Sequence, residues 1–199
     1  MEPDEYGHIW YRTDIFEELN EAIKFSEAYL KRLTELHLDF RWCVIGSTMA
    51  LQSALIYQLY GHDTSGTASL TKKSAQKSLE AISTQSFVNF PTQRLETPKL
   101  LLKKITSTTD FKNRWDSLDI ENCETIINFR NEFIHYLPQS WSIELSGAPA
   151  LFTSCWTIIA DLLQAPILYA HRVDEALLED MQTRSRNILS NLRASPPTA

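Results

Sequence analysis

The chain has 199 residues, a formal net charge of −6, 43% hydrophobic residues and 22% charged residues. This length suits one domain that buries a substantial core without disulfides or metals. Only five glycines leave little room for the turns of an all-β fold. The three cysteines are an odd number, lie in apolar segments and lack the spacing of metal ligands. We therefore expect an all-α protein in a reducing compartment, without a metal site.

Two features bear on membranes and export. The first five residues are acidic and no apolar run follows them, so we expect no signal peptide and a cytoplasmic location. Residues 42–61 carry no charge and are long enough to cross a bilayer. Polar residues such as Ser47, Gln52 and Gln58 interrupt this stretch, and no cluster of basic residues flanks it. A buried core helix, with no membrane contact, is the better interpretation.

Apolar residues at helical spacing predict a bundle of about five to six helices within one domain over residues 1–193, followed by a disordered tail at 194–199. Asp14 is expected to cap a first helix that runs to about His37. Asp39 is expected to cap the uncharged second helix, which Gly61 ends.

Further helices are predicted over residues 71–82, 97–106 and 119–136, from 149 onward, and over 174–192. Thr97 followed by proline is typical of a helix start, and Asp119 is expected to cap the helix predicted over residues 119–136. Pro138 should stop that helix, and Pro166 should kink the one that begins at Pro149.

Positive charge is concentrated in the middle of the chain. Residues 70–114 contain nine lysine and arginine residues against three acidic ones, a net charge of +6, so the remainder of the chain carries −12. Such asymmetry is typical of a surface for a polyanion. A solvated surface with lysines on exposed helix faces explains the pattern equally well.

The segment 129–135 reads Phe-Arg-Asn-Glu-Phe-Ile-His near the end of a predicted helix. A guanidinium that holds a phosphate and an imidazole that titrates near neutral pH are the groups that a metal-free ribonuclease needs. Arg130 falls inside the apolar face, where a charge is costly unless it is paired or lies in a cleft or a subunit interface. Asn131 and His135 are four residues apart and can point to one place.

Arg130 and His135 diverge by about 140° on an ideal helix. They can meet at one phosphate if the helix loosens near His135, which Pro138 favours, or if a second copy in a symmetric dimer supplies the partner group. Arg32 and His37 repeat the same spacing, so spacing alone is weak evidence. The asparagine that follows Arg130 distinguishes the later pair.

Arg130, Asn131 and His135 resemble the R-x4-6-H motif of the HEPN superfamily, whose members are helical and commonly have a polar residue after the arginine. The resemblance implies a homodimer built around the motif helix, with a composite cleft that cleaves RNA without metal or cofactor. Many such proteins are bacterial toxins or antiviral defence effectors. By the resemblance, His135 is the general acid or base, Arg130 stabilises charge on the phosphate, and Asn131 orients His135 or the phosphate.

The resemblance also implies partners: a second copy of the chain, an RNA substrate, and an antitoxin or regulatory protein. Trp141, just after the motif, is a candidate for stacking on a base. The candidate RNA-binding lysines are Lys72, Lys73, Lys99, Lys103 and Lys104. The alternative is a non-catalytic HEPN-like dimerisation or binding module. In that case Arg130 pairs with a carboxylate such as Asp161, and His135 interacts with the C-terminal end of its helix.

Overall fold

The computed structural model describes residues 14–31, 36–61, 67–84, 93–135, 142–166 and 174–194. Within these ranges the chain forms seven α-helices, so the all-α class is confirmed. A helix forms at each of the seven predicted segments, which is more than the bundle of about five to six helices expected. The helices are α1 (Ile15–Leu30), α2 (Leu36–Gly61), α3 (Lys72–Ser83), α4 (Pro98–Thr106), α5 (Ser117–Ile134), α6 (Ala148–Gln164) and α7 (Glu175–Ala194). The described residues contain no strand, only an isolated antiparallel bridge between Leu70 and Leu95.

Several predicted helix starts are confirmed by their capping hydrogen bonds. The Asp14 carboxylate accepts hydrogen bonds from the backbone N–H groups of Phe16 and Glu17, at 2.8 and 2.9 Å. Thr97 caps α4 in the same manner, with proline at its first position. Gly61 is the last residue of α2, as expected. The predicted tail lies outside the described residues apart from Ala194, which belongs to α7.

Three boundary predictions are wrong. The first helix ends at Leu30, and α2 begins at Leu36, so Asp39 lies inside the first turn of α2 and does not cap it. Asp116 caps α5 by accepting from the backbone N–H of Asp119 at 2.7 Å, which leaves Asp119 in the first turn. Both aspartates still lie in the first turn of a helix, where a negative charge interacts favourably with the positive end of the helix dipole.

Proline at position 166 does not kink α6. The helix ends at Gln164, and Ala165 adopts an extended conformation with ψ of 138°. A residue that precedes proline is pushed out of the α region by contact with the proline ring. Pro166 therefore follows the end of the helix instead of bending its interior.

Helix α2 lies at the centre of the bundle and packs against α1, α4, α5 and α6. Its buried polar side chains are hydrogen-bonded to α6: Ser47 Oγ accepts from Trp156 Nε1 at 3.1 Å, and Gln58 Nε2 donates to the carbonyl of Leu162. Such pairing removes the cost of burying polar groups. No helix among the described residues is both long enough and apolar enough to span a membrane.

Gly46 lies at a tight contact between α1 and α2. A Cβ atom at this position would lie 2.7 Å from Phe25 Cδ1 and 2.7 Å from Ser26 Oγ. The Ser26 hydroxyl is buried and donates to the carbonyl of Ala22, so it has little freedom to move away. Glycine at position 46 therefore sets the distance between the two helices.

Helix α7 is held to α1 by an ionic cluster. Arg184 Nη1 lies 2.7 Å from Glu27 Oε2, Arg184 Nε lies 2.8 Å from Asp180 Oδ2, and Lys31 Nζ lies 3.1 Å from Glu27 Oε1. Burial raises the pKa of Glu27, but hydrogen bonds from Lys31 and Arg184 and their positive charges outweigh it, so the pKa of Glu27 lies below its ordinary value. The carboxylate of Glu27 is thus favoured in its charged form.

Gly46→Ala should lower the free energy of unfolding in urea. Forcing a methyl group into this packed contact costs about 1–3 kcal/mol, which exceeds the gain of up to about 1 kcal/mol in helix propensity. Gly147→Ala is the control, because no atom lies within 4 Å of a Cβ there. Equal stability of wild type and Gly46→Ala would contradict the close approach.

Glu27→Gln should lower the free energy of unfolding at pH 7 by about 1 kcal/mol, because it removes a charge-assisted contact. A depressed folded pKa stabilises the protein above the ordinary glutamate pKa of about 4.3, and this stabilisation is lost as the pH falls through the lowered value. The difference between wild type and variant should therefore shrink in acid. Glu21→Gln, which breaks a more exposed pair with Lys24, is the control and should cost less than about 0.5 kcal/mol. A difference in unfolding free energy between wild type and Glu27→Gln that does not change with pH would contradict the lowered pKa of Glu27.

Candidate functional site

Helix α5 carries the motif and is anchored along most of its length. Its buried side chains include Cys123, Ile126 and Phe133. Asn122 Nδ2 donates to Ser154 Oγ of α6 at 2.9 Å, and Phe133 packs edge-on against Phe40 of α2. The hydrogen bond to Cys155 and burial raise the pKa of Cys123 well above its ordinary range, so this thiol is a neutral packing group and not a nucleophile.

Arg130 is half-buried and has an unusual set of contacts. Its Nη1 donates to the side-chain oxygen of the adjacent Asn131 at 3.1 Å. Its Nε is shielded from solvent and has no hydrogen-bond partner in the part of the chain that the structure describes. A buried donor without an acceptor costs about 1–3 kcal/mol. The Nε group can therefore bind an acceptor that is not among the described residues.

The pairing of Arg130 with Asp161, expected for a purely structural arginine, is not formed. Asp161 instead accepts hydrogen bonds from Arg114 Nε at 3.2 Å and from Trp115 Nε1 at 3.0 Å. Among the described residues no carboxylate forms an ion pair with Arg130. The positive charge of Arg130 thus has no counter-charge within the described part of the chain.

His135 is the C-cap residue of α5 and its side chain is exposed. Its backbone N–H still donates to the carbonyl of Asn131 at 3.0 Å, so helical geometry continues up to His135. The helix does not loosen before the histidine, and the divergence of about 140° from Arg130 therefore persists. By helical spacing, one copy of α5 therefore directs the Arg130 and His135 side chains to different sides of the helix.

Asn131 and His135 share one face of α5 with two residues nearer its start. Ile120, Glu124, Asn131 and His135 are spaced by four, seven and four residues, which places them within about 60° of one another around the axis. We call these four residues the motif face. At a rise of about 1.5 Å per residue, Asn131 lies roughly 10 Å and His135 roughly 16 Å beyond Glu124 along the helix. The hydrogen bond from Arg130 to Asn131 directs the Arg130 guanidinium towards the motif face.

The structure separates the candidate lysines into different environments. Lys99 Nζ lies 2.6 Å from Glu124 Oε2, so Lys99 borders the motif face. Lys99 and Lys103 both line a cavity between α4 and α5, to which Ile120 and Glu124 of the motif face also contribute. Lys104 Nζ donates to the carbonyls of Ala68 and Leu70 at 2.8 and 2.9 Å, and so holds the segment before α3.

Lys72 and Lys73 are exposed in the first turn of α3. Helix α3 has no extensive contact with α5. Trp141 lies outside the described residues. Of the six candidate RNA-binding residues, the structure thus brings Lys99 and Lys103 to the motif face.

Arg41 is a basic residue at this site that the sequence did not single out. Its Nη2 donates to the carbonyl of Phe133 at 2.8 Å. Its guanidinium carbon lies 5.8 Å from the ring centroid of Trp42 and 5.9 Å from that of Phe133. Arg41 thereby satisfies one of the last carbonyls of α5 and places a second positive charge at the end of the helix that carries His135.

The site offers anion-binding and proton-transfer groups from side chains alone. The described residues contain no group of three histidine, cysteine, aspartate or glutamate side chains that could hold a metal ion. The available chemistry consists of two guanidinium groups, one side-chain amide and one exposed imidazole. This set can bind an anion and move a proton.

Arg130→Met should leave the free energy of unfolding unchanged, or raise it by up to about 1 kcal/mol, because it removes a buried donor that lacks an acceptor. Arg184→Met is the matched control. It breaks the contacts with Glu27 and Asp180 and should lower stability by about 1–3 kcal/mol. Urea denaturation measures both. A loss above about 2 kcal/mol for Arg130→Met would mean that the guanidinium stabilises the free protein.

Comparison with known proteins gives no match, since no family model, no curated protein and no solved structure matches this chain. The resemblance to HEPN proteins therefore stays a prediction from Arg130, Asn131 and His135. The function must be inferred from the chemistry of these residues and their surroundings.

Proposed function

We propose that this chain is a HEPN-type, metal-independent endoribonuclease of the cytoplasm, acting as a homodimer with a composite active site. It would serve as a toxin or antiviral defence effector under an antitoxin or another regulatory partner. The observation that carries the proposal is the Arg130 guanidinium beside Asn131, whose shielded Nε lacks an acceptor within the described ranges. A phosphate oxygen is a suitable acceptor for such a donor.

The arrangement of donors around Arg130 suits a phosphodiester. A guanidinium presents a planar set of N–H groups that matches the oxygens of a phosphate. The contact between Nη1 and Asn131 limits the rotation of the group, so less entropy is lost when the anion binds. Arg41 adds positive charge near the same end of α5.

Two copies are needed because Arg130 and His135 diverge on one helix. Ile134 lies between Asn131 and Arg130 around the helix axis, and 48% of it is exposed. An isologous interface centred on Ile134 would cover this apolar side chain and bring the ends of two α5 helices together. Arg130 of one copy would then face His135 of the other.

The reaction requires no metal and no water in its first step. A general base removes the proton of the ribose 2′-OH, whose oxygen attacks the adjacent phosphorus. The bond from phosphorus to the 5′ oxygen breaks, and a general acid protonates that oxygen. The products are a 2′,3′-cyclic phosphate and a 5′-hydroxyl. His135 of one copy would act as the general acid or base, and Arg130 of the other copy would stabilise the added negative charge on the phosphorus oxygens.

A non-catalytic HEPN-like dimerisation or binding module is the second candidate. It is favoured by the position of His135 at the C-cap of α5, where a protonated imidazole interacts favourably with the last carbonyl groups. In this case Arg130 would bind a carboxylate of a second copy or of another protein. The two candidates make opposite predictions for RNA cleavage.

Purified protein should cleave RNA in excess EDTA, because the proposed chemistry uses side chains alone. His135→Ala should reduce the cleavage rate by at least about a hundredfold, the ordinary contribution of a general acid or base. Gel analysis of RNA fragments measures the rate, and end-group analysis should detect 2′,3′-cyclic phosphates.

The control for the loss of a charge is Arg193→Ala, an exposed residue at the end of α7, which should cleave at the wild-type rate. Arg130→Ala should be as inactive as His135→Ala. A folded dimer that cleaves no RNA would support the binding module instead. Cleavage that EDTA abolishes would contradict both candidates.

A further inference from the structure

We propose that the cavity between α4 and α5 is a nucleobase subsite that holds one unpaired base of the RNA strand to be cleaved. This inference rests on the proposed ribonuclease function and adds a determinant of substrate choice. The cavity has a volume of about 290 Å³. This volume is at the lower end of small-molecule sites, so it suits a fragment such as a single base.

The walls of the cavity have the chemistry of a base-binding site. Leu100 and Ile120 provide apolar surfaces. Leu100 is 44% exposed, so a bound base could cover apolar surface that is now in contact with solvent. Unstacked RNA bases bind between apolar or aromatic side chains, with their edges read by hydrogen bonds. Thr106 and Glu124 supply polar groups at the same cavity. The site thus combines apolar walls with groups for the edge of the base.

The position of the cavity relative to the motif supports an RNA strand as the occupant. Ile120 and Glu124 belong to the motif face, together with Asn131 and His135. The cavity therefore opens on the same side of α5 as the motif, roughly 10 Å along the axis from Asn131. A short single strand with its scissile phosphate at Arg130 can place a neighbouring base in the cavity.

The charges at the cavity also fit a nucleotide. Lys99 and Lys103 line it, and the ammonium groups can contact the phosphates on either side of the bound base. Glu124 is an acceptor for an exocyclic amine, as carboxylates are for the N4 amine of cytosine. Lys99, now 2.6 Å from Glu124, would move to a phosphate as the amine takes its place. We therefore expect a base with an exocyclic amine, and cytosine in preference to uracil.

The test measures the binding of fluorescently labelled oligo(C) and oligo(U) RNA to the full-length His135→Ala protein by anisotropy. Oligo(C) should bind at least about fivefold more tightly than oligo(U), the lower end of what one good contact to a base edge provides. Glu124→Gln should reduce this difference to less than about twofold. Glu121→Gln, an exposed glutamate of α5 outside the motif face, is the matched control and should retain it.

Two further variants test the cavity itself. Ile120→Trp should fill it and weaken the binding of both RNAs, and circular dichroism checks that the variant is folded. Lys103→Ala changes an exposed side chain and should weaken the binding of both RNAs to a similar extent. Lys112→Ala, which changes another exposed lysine, is the control and should leave the binding of both RNAs unchanged. Equal affinity for the two RNAs, or a preference that survives Glu124→Gln and Ile120→Trp, would overturn the subsite.

Failure of the subsite is distinguishable from failure of the ribonuclease proposal. RNA cleavage by the wild type, with binding that is unaffected by the cavity variants, contradicts the subsite alone. Binding that depends on the cavity, without cleavage by the wild type, contradicts nuclease activity alone and leaves the subsite in place. No binding of either RNA contradicts both.

Discussion

The burial of α2 is the constraint on which the bundle depends. Residues 42–61 carry no charge, so this helix is stable in water only when other helices cover it. Helices α1, α4, α5 and α6 do so, while α7 packs on α1 and α6. Ser47 and Gln58, the polar residues that weakened the membrane interpretation, form hydrogen bonds to α6. The same polar groups thus fix the register of the two central helices.

The packing of α2 also places the candidate site. Phe40 contacts Phe129 and Phe133, which holds the second half of α5 against α2. The next residue, Arg41, reaches the carbonyl of Phe133 and satisfies the end of the helix. The motif is therefore carried by a rigid element, which suits catalytic groups that must keep their geometry. The Nε of Arg130, beside the motif asparagine, is one of several shielded side-chain polar atoms that have no hydrogen-bond partner among the described residues.

Helix starts were predictable from the sequence where a single capping residue determines them. Asp14 and Thr97 cap helices because each lies directly before a helical apolar pattern. The cap predictions for Asp39 and Asp119 are wrong because aspartate also suits the first turn, and the sequence does not distinguish the two positions. The kink predicted at Pro166 is wrong because the helix already ends at Gln164, which the run of apolar residues does not indicate.

The candidate site was predictable only in part. Arg130, Asn131 and His135 were recognisable because they lie close together in one helix. The contact between Lys99 and Glu124 joins residues 25 positions apart, and that between Arg41 and Phe133 joins residues 92 positions apart. Neither contact follows from periodicity, because both depend on how separate helices pack. The cavity forms only where α4 packs beside α5, so the sequence alone does not show that a cavity shares a face with the motif.

The central claim is that Arg130 of one copy acts with His135 of the other. Mixing Arg130→Ala and His135→Ala subunits, each inactive alone, tests it most directly. Random mixing makes about half of the dimers mixed, each with one intact pair of the two, so RNA cleavage should return to about a quarter of the wild-type rate. If the mixture is as inactive as the separate variants while mixed dimers form, the two residues do not act across subunits, and the account is contradicted.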